Sequence, residues 1–348
     1  MAADDIKQQE NNVSGKPEAP KSFVPELLTV SPPPHMKAPE RTRGIMFDVI
    51  IAMIPTLVWG IYVFGFRALT IVLISVLSCV ACELVWQLLS KKPVMIGDLS
   101  AVVTGILLGL NFPVGVPLWL PIVGSAFAII IVKQLFGGIG KNIMNPALAA
   151  RVFMLISWPD LMNAYSEPFA EVSPFSISVD VTASATPLAA LKTGDIPDVP
   201  MTELLLGNTA GAIGEVSALL IIAGGLYLMI RRVIAWQIPV GYIGTVAIIA
   251  FILPQTENAV DFMFASILSG GLMLGAFFMA TDYTTSPVTE RGRLIYGIGC
   301  GLITMLIRLY GAYPGGVSFA ILIMNTVVWY LDRFTRPVRF GGVTRNGK

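Results

Sequence analysis

Ten apolar runs fill most of the chain between residues 44 and 332. They are 44–64, 69–90, 99–112, 118–136, 146–158, 208–230, 236–254, 262–281, 294–311 and 316–332. A straight helix needs about 20 apolar residues to cross the hydrocarbon layer of a bilayer. Two of the runs, 99–112 and 146–158, are too short to cross alone. Each abuts helix-breaking residues: Asn111-Phe112-Pro113 follows the first, and the stretch from Gly137-Gly138 through Asn142 and Asn145 to Pro146 precedes the second. Broken half-helices persist at membrane depth only where they are buried in protein or line a cavity, and in transporters they build the binding site. The pattern predicts an all-α integral membrane protein of about ten transmembrane helices with broken half-helices.

One long polar interval interrupts the pattern. Residues 159–207 hold Asp160, Glu167, Glu171, Asp180, Asp195, Asp198 and Glu203 against a single basic side chain, Lys192. It divides the runs five and five, so the expected organisation is a tail (1–43), a first five-helix repeat (44–158), a loop (159–207), a second five-helix repeat (208–332) and a C-terminal tail (333–348). An odd number of spans per half makes the halves inverted relative to each other. Weak internal similarity agrees: Leu135-Phe136-Gly137 leads to Ile143-Met144-Asn145, and Leu309-Tyr310-Gly311 leads to Ile323-Met324-Asn325.

Composition and charge sharpen this reading. Of the 348 residues, 55% are hydrophobic and 13% charged, about half the charged fraction of ordinary soluble domains. A net charge near zero gives no reason to expect nucleic acid. The one histidine, His35, lies outside every apolar run, which excludes bis-His haem ligation and a histidine proton relay. The polar first 30 residues have no signal-peptide pattern. If the N-terminal tail is cytoplasmic, Lys37, Arg41, Arg43, Lys91, Lys92, Lys141, Arg231, Arg232, Arg291, Arg293, Arg333, Arg336, Arg339, Arg345 and Lys348 fall on that side. Only Arg67 and Lys192 fall opposite. That bias obeys the positive-inside rule and sets both termini in the cytoplasm and residues 159–207 outside.

Several residues are candidates for chemistry. Arg151, Glu83 and Arg308 lie inside apolar runs, where ionisable groups are costly and usually functional; pairing that only holds helices together is the alternative. A fixed guanidinium suits phosphate, so Arg151 or Arg308 would serve a phosphate or an anionic ring. Glu215 sits near the start of the sixth run, where a helix N-terminus places polar groups. Asn142, Asn145, Asp282, Thr285 and Ser286 cluster on the cytoplasmic side, as readers of a polar ligand edge, as oxygen ligands for Na⁺, or as caps of broken helices. Cys79 and Cys82, at i and i+3, are too few thiols for a four-ligand metal site and read as small packing residues. There is no phosphate-cradling nucleotide loop. Thr186, within Ala183-Ser184-Ala185-Thr186-Pro187-Leu188, is on composition alone a loop residue: a threonine hydroxyl becomes a nucleophile only when an enzyme activates it.

Blocks spread along the chain resemble one known family. They are Gly137 to Ala147, Ser184-Ala185-Thr186-Pro187-Leu188, Gly211-Ala212-Ile213-Gly214-Glu215-Val216-Ser217-Ala218, Ala280-Thr281-Asp282-Tyr283-Thr284-Thr285-Ser286-Pro287-Val288-Thr289, and Gly311 to Asn325. In order from about residue 40 to 335, they are similar to the NqrB/RnfD family, which joins the RnfD component of Rnf electron transport complexes to the NqrB component of sodium-pumping NADH:quinone reductase. Length and the Asp282 to Pro287 block favour the Rnf branch.

The resemblance implies a fold like that of urea and ammonium channels. It also implies FMN joined as a phosphoester to Thr186, with Ser184 beside it, and a second, non-covalent flavin (riboflavin or FMN) in the helical core. The common flavinylation pattern reads Ser-Gly-Ala-Thr where this chain has Ala183-Ser184-Ala185-Thr186; Thr182 is the fallback site. Further implications are an inner-membrane location and the A, B, C, E and G components of the Rnf complex as partners. A flavin transferase would act during maturation, and electron flow between ferredoxin and NAD⁺ would be coupled to Na⁺ or H⁺. The alternatives are the quinone-reducing relative and a non-redox solute transporter or channel.

Overall fold

The computed structural model describes residues 42–170, 173–174, 186–194, 200–215 and 217–336, and every regular element among them is helical. Besides the short turns Ile96–Asp98 and Pro159–Met162, they are in chain order α1 (Thr42–Phe64), α2 (Phe66–Leu89), α3 (Ser100–Leu110), α4 (Trp119–Gln134), α5 (Pro146–Ser157), α6 (Pro187–Thr193), α7 (Met201–Leu206), α8 (Ala218–Ile230), α9 (Gln237–Ile252), α10 (Ala259–Leu268), α11 (Leu272–Met279), α12 (Glu290–Tyr310) and α13 (Val317–Thr335). Four of them, α1, α2, α12 and α13, are long and apolar enough to cross a membrane. The pair α10–α11 passes the same test as one span bent by 60°. The shorter helices α3, α4, α5, α8 and α9 are apolar too. The chain is an all-helical, multi-pass membrane protein.

Every apolar run folds as helix, with two corrections. The sixth run is helical only from Ala218: residues 208–215 form turns, and Ser217 caps α8 by accepting from the Leu220 N–H at 3.4 Å. The turns exist because they complete another helix. Ile213 N–H donates to Phe112 O at 3.0 Å and Gly214 N–H to Leu110 O at 2.7 Å, satisfying carbonyls that the C-terminus of α3 leaves without intrahelical partners. The eighth run is two helices. Gly270, with φ of 70°, makes the bend between them, in a left-handed region that residues with a Cβ rarely enter.

Local chemistry sets the other boundaries. α5 opens with Pro146 behind Asn145, whose side-chain oxygen accepts from the Ala147 and Leu148 N–H groups at 3.0 and 3.3 Å. Proline in the first turn and asparagine before it are the favoured arrangement. α12 is capped by Thr289 and carries Glu290 in its first turn. The last eight residues of α4 and the last five of α11 wind as π-helix, a local form often found at functional sites. α9 and α12 pack closely: a Cβ on Gly297 would lie 2.6 Å from Ile238 O, the small-residue contact typical of membrane helices. Leu73, Leu77, Ile248 and Phe251 project outward, as expected where the surrounding solvent is hydrocarbon.

Candidate functional site

One cavity lies at the break between α10 and α11 and beside the second half of α5, and another lies at the C-terminal end of α11 and the start of α5. The first is lined by Arg151, Tyr165, Thr186, Glu215, Gly270 and Gly271, among others. Thr186 is the N-cap of α6, half-buried, its Oγ1 accepting from the Ala189 N–H at 3.2 Å. On α5, Arg151 donates through Nη2 to Glu215 Oε1 at 3.1 Å and through Nη1 to Asn111 Oδ1 at 2.6 Å. Asn111 in turn donates to Leu107 O at 2.6 Å. Tyr165 shares a hydrogen bond with Arg151, and burial pushes its hydroxyl above the ordinary phenol range. Gly271 is the close approach: a Cβ there would lie 2.8 Å from Glu215 Oε1. Beside it, the buried Ser269 Oγ has no hydrogen-bond partner among the described residues.

Arg308 does not line this cavity. It is buried behind Gly270, and its guanidinium donates to Ser266 O and Ser269 O, the last carbonyls of α10. A cation at a helix C-terminus complements the helix dipole, so here Arg308 holds the break in place. Its guanidinium, expected to face a phosphate, is here turned to protein carbonyls. Ser184 and the fallback Thr182 lie outside the described residues.

The second cavity is lined by Lys133, Asn142, Asn145, Phe277, Phe278 and Asp282, among others. The two asparagines differ. Asn145 is engaged, capping α5 with its oxygen and donating from Nδ2 to Met279 O at 3.2 Å. It therefore acts as a cap, not as a reader of a ligand edge. Asn142 Oδ1 is buried and unpartnered among the described residues. Asp282 accepts from the Thr284 and Thr285 hydroxyls at 2.9 and 3.3 Å. Burial raises its carboxyl above the usual range, and those hydrogen bonds oppose the rise. Thr285 is buried, turned to this carboxylate. Asn325 of α13 meets Asn145. Its amide oxygen accepts from the Asn145 N–H at 3.1 Å, and its nitrogen donates to Thr285 O and Ile321 O, each at 3.2 Å.

Sequence reasoning missed Lys133. Its ammonium, 2% exposed, donates to Glu83 Oε1 and Oε2 at 3.0 and 2.8 Å and to Ser100 Oγ at 2.6 Å. Gln134 adds a bond to Glu83 at 2.8 Å. The π-helical winding brings Lys133 and its neighbour Gln134 to the same carboxylate. Lys133 stands near the end of an apolar run, where it reads as a flanking charge; a carboxylate without a partner in that run's neighbour was the signal available. Glu83 thus pairs with Lys133 and Arg151 with Glu215, not with each other. Tyr165 was also missed, because nothing in its local sequence marks it. Cys79, Cys82 and Cys300 are free, and no metal-ligating cluster occurs among the described residues.

Fold and site together define a polytopic membrane protein whose half-helices hold polar groups at two separate cavities. The chain belongs to the NQR2, RnfD, RnfE family, whose model matches residues 29–341. It is 50% identical over 321 residues to the D subunit of the Na⁺-translocating ferredoxin:NAD⁺ oxidoreductase complex of Acetobacterium woodii, covering 91% of this chain and 96% of that one. It is 39% identical over 326 residues to the proton-translocating counterpart of Clostridium ljungdahlii, covering 90% and 96%. The D subunit of the ion-translocating oxidoreductase complex of Stutzerimonas stutzeri is also 39% identical, over 324 residues, covering 85% and 91%.

Proposed function

We propose that the chain is the flavin-carrying membrane subunit of an ion-translocating ferredoxin:NAD⁺ oxidoreductase of the Rnf type. The observation that carries this reading is that Thr186, in the small-residue block that resembles the family's, opens into one cavity with Arg151, Glu215 and Tyr165. The residues fit an FMN phosphoester. The threonine hydroxyl supplies the ester oxygen, and the Arg151 fork suits phosphate oxygens.

The second cavity fits a non-covalent flavin. Phe277 and Phe278 offer apolar faces, Asn142 Oδ1 is an open acceptor, and Lys133 and Asp282 line the same space. Bound flavins would supply the one- and two-electron chemistry, while the protein supplies position, dielectric and charge. In this reading the ten apolar runs are ten spans in two inverted five-helix repeats. Both termini are on the cytoplasmic side of the inner membrane and Thr186 is outside. The partners are the A, B, C, E and G components of the Rnf complex, with a flavin transferase during maturation. The relatives' names include both Na⁺ and proton translocation, so the coupling ion is one of these two. The quinone-reducing relative shares the family and differs in partners, not in scaffold.

The test is ultraviolet fluorescence of the SDS-denatured chain on a gel, wild type beside Thr186→Ala, each expressed with an active flavin transferase. Fluorescence in the wild type alone supports the reading. A dark wild-type band, with the transferase proven on another substrate, transfers the assignment to a non-redox transporter or channel.

A further inference from the structure

This inference rests on the Thr186 reading and concerns the order of events at that site. Thr186 is tied down from three directions. Its own Oγ1 accepts from Ala189 N–H, and the residues that follow it are already helical. Leu188 and Leu191 of α6 are buried, 9% and 3% exposed, with α6 packed on α10. Leu188 fills the space left by Gly270, where a Cβ would lie 2.9 Å from Leu188 Cδ2. At the far end of α6, Lys192 Nζ donates to Gly311 O at 2.6 Å and Ala312 O at 2.7 Å. Those carbonyls close the C-terminus of α12, which attracts a cation. Leu188 therefore seats α6 and Lys192 latches it.

Docked in this way, α6 is itself a wall of the cavity: Thr186, Pro187 and Leu188 face Arg151, Tyr165 and Glu215 across it. A transferase must bring its own groups within bonding distance of Oγ1 and draw the flanking backbone into its cleft. Helical residues packed on α10 do not allow that. The reaction also needs an activated donor, because joining FMN itself to a threonine would have to expel water. With a flavin dinucleotide as donor, the Thr186 Oγ–P bond forms and the pyrophosphate P–O bond breaks. A nucleoside monophosphate leaves, and the hydroxyl proton passes to a base of the transferase.

We propose that the docked α6 is the state that follows modification. The flavin is transferred to Thr186 while α6 is undocked, and seating of Leu188 with latching by Lys192 then carries the attached group into the cavity beside Arg151. Local opening of this kind is set by the few contacts that hold the segment. Here these are the two leucines and the two bonds of Lys192.

The experiment uses the full-length chain purified without flavin. Transferase and flavin dinucleotide are added, and protein-bound fluorescence on denaturing gels is followed in time. In a Cys82→Ser background, Leu188→Cys/Gly315→Cys is bridged by a short bifunctional thiol reagent; Leu188 Cδ2 lies 4.0 Å from the Gly315 Cβ position. The bridged chain should lose modification, while the unbridged pair is modified. Bridging after modification should leave the fluorescence intact. Lys192→Ala should be modified about tenfold faster than wild type, the scale of losing a charge-assisted bond, and Lys192→Arg should stay close to wild type. Modification of the bridged chain at the unbridged rate overturns the proposal, whatever the fate of Lys192→Ala. If neither wild type nor the unbridged pair is modified by a proven transferase, the Thr186 reading itself fails, and this inference with it.

Discussion

At the scale of single residues, the charged groups inside the protein are set by partnership. Lys133 and Glu83 satisfy each other, with Ser100 and Gln134 completing the cluster. Removing one member leaves an uncompensated buried charge, which costs about 3–5 kcal/mol, whereas replacing both with apolar groups is often neutral. Lys133→Met should therefore lower the thermal unfolding midpoint in detergent sharply. Glu83→Leu/Lys133→Met should recover most of the loss; a double variant as unstable as the single would show that the pair does more than neutralise itself. Arg151 is different, because its partner Glu215 lines the same cavity. Glu215→Gln keeps the shape and releases the guanidinium, so flavin carried at Thr186 should become less accessible to dithionite or solvent quenchers than in wild type. Equal quenching would remove Arg151 from the group's surroundings.

At the scale of elements, broken helices are held together by other broken ends. The α3 terminus is completed by the 212–215 turn, α10 by Arg308, α12 by Lys192, and α5 by Asn145. Asn145→Ala removes a cap worth about 0.5–2 kcal/mol together with the bond to Met279 O. It should lower the unfolding midpoint and loosen any flavin held at the Asp282 cavity, read as faster loss of non-covalent flavin on dilution. The repeat signal in the sequence pointed to Asn145 and Asn325 one at a time. That the two asparagines touch was not legible, because hydropathy carries no information on which helix faces which.

At the scale of the whole molecule, the proposed orientation is testable: in it the Thr186 cavity opens outside and the Asp282 cavity opens towards the cytoplasm. In a cysteine-free background, single cysteines within 159–207 should react with an impermeant reagent added to intact cells. Cysteines replacing Arg291 or Arg336 should react only after permeabilisation. The reverse pattern would invert the topology and place Thr186 on the same side as the basic loops.

Sequence alone determined what depends on composition and on neighbours along the chain. Apolar length made the fold helical and membrane-embedded, Pro146 stands at a helix boundary, and the blocks around Asn142, Thr186, Glu215 and Asp282 marked the family. Tertiary structure decided what depends on distant neighbours. It gave Glu83 to Lys133 and Arg151 to Glu215, made Arg308 a clamp on α10 and Asn145 a cap, shortened the sixth run to begin at Ala218, and seated α6 over its cavity. In a protein surrounded by hydrocarbon, each buried charge and each broken helix end must find its partner across space, and that partner is specified by packing between helices, not by position along the chain.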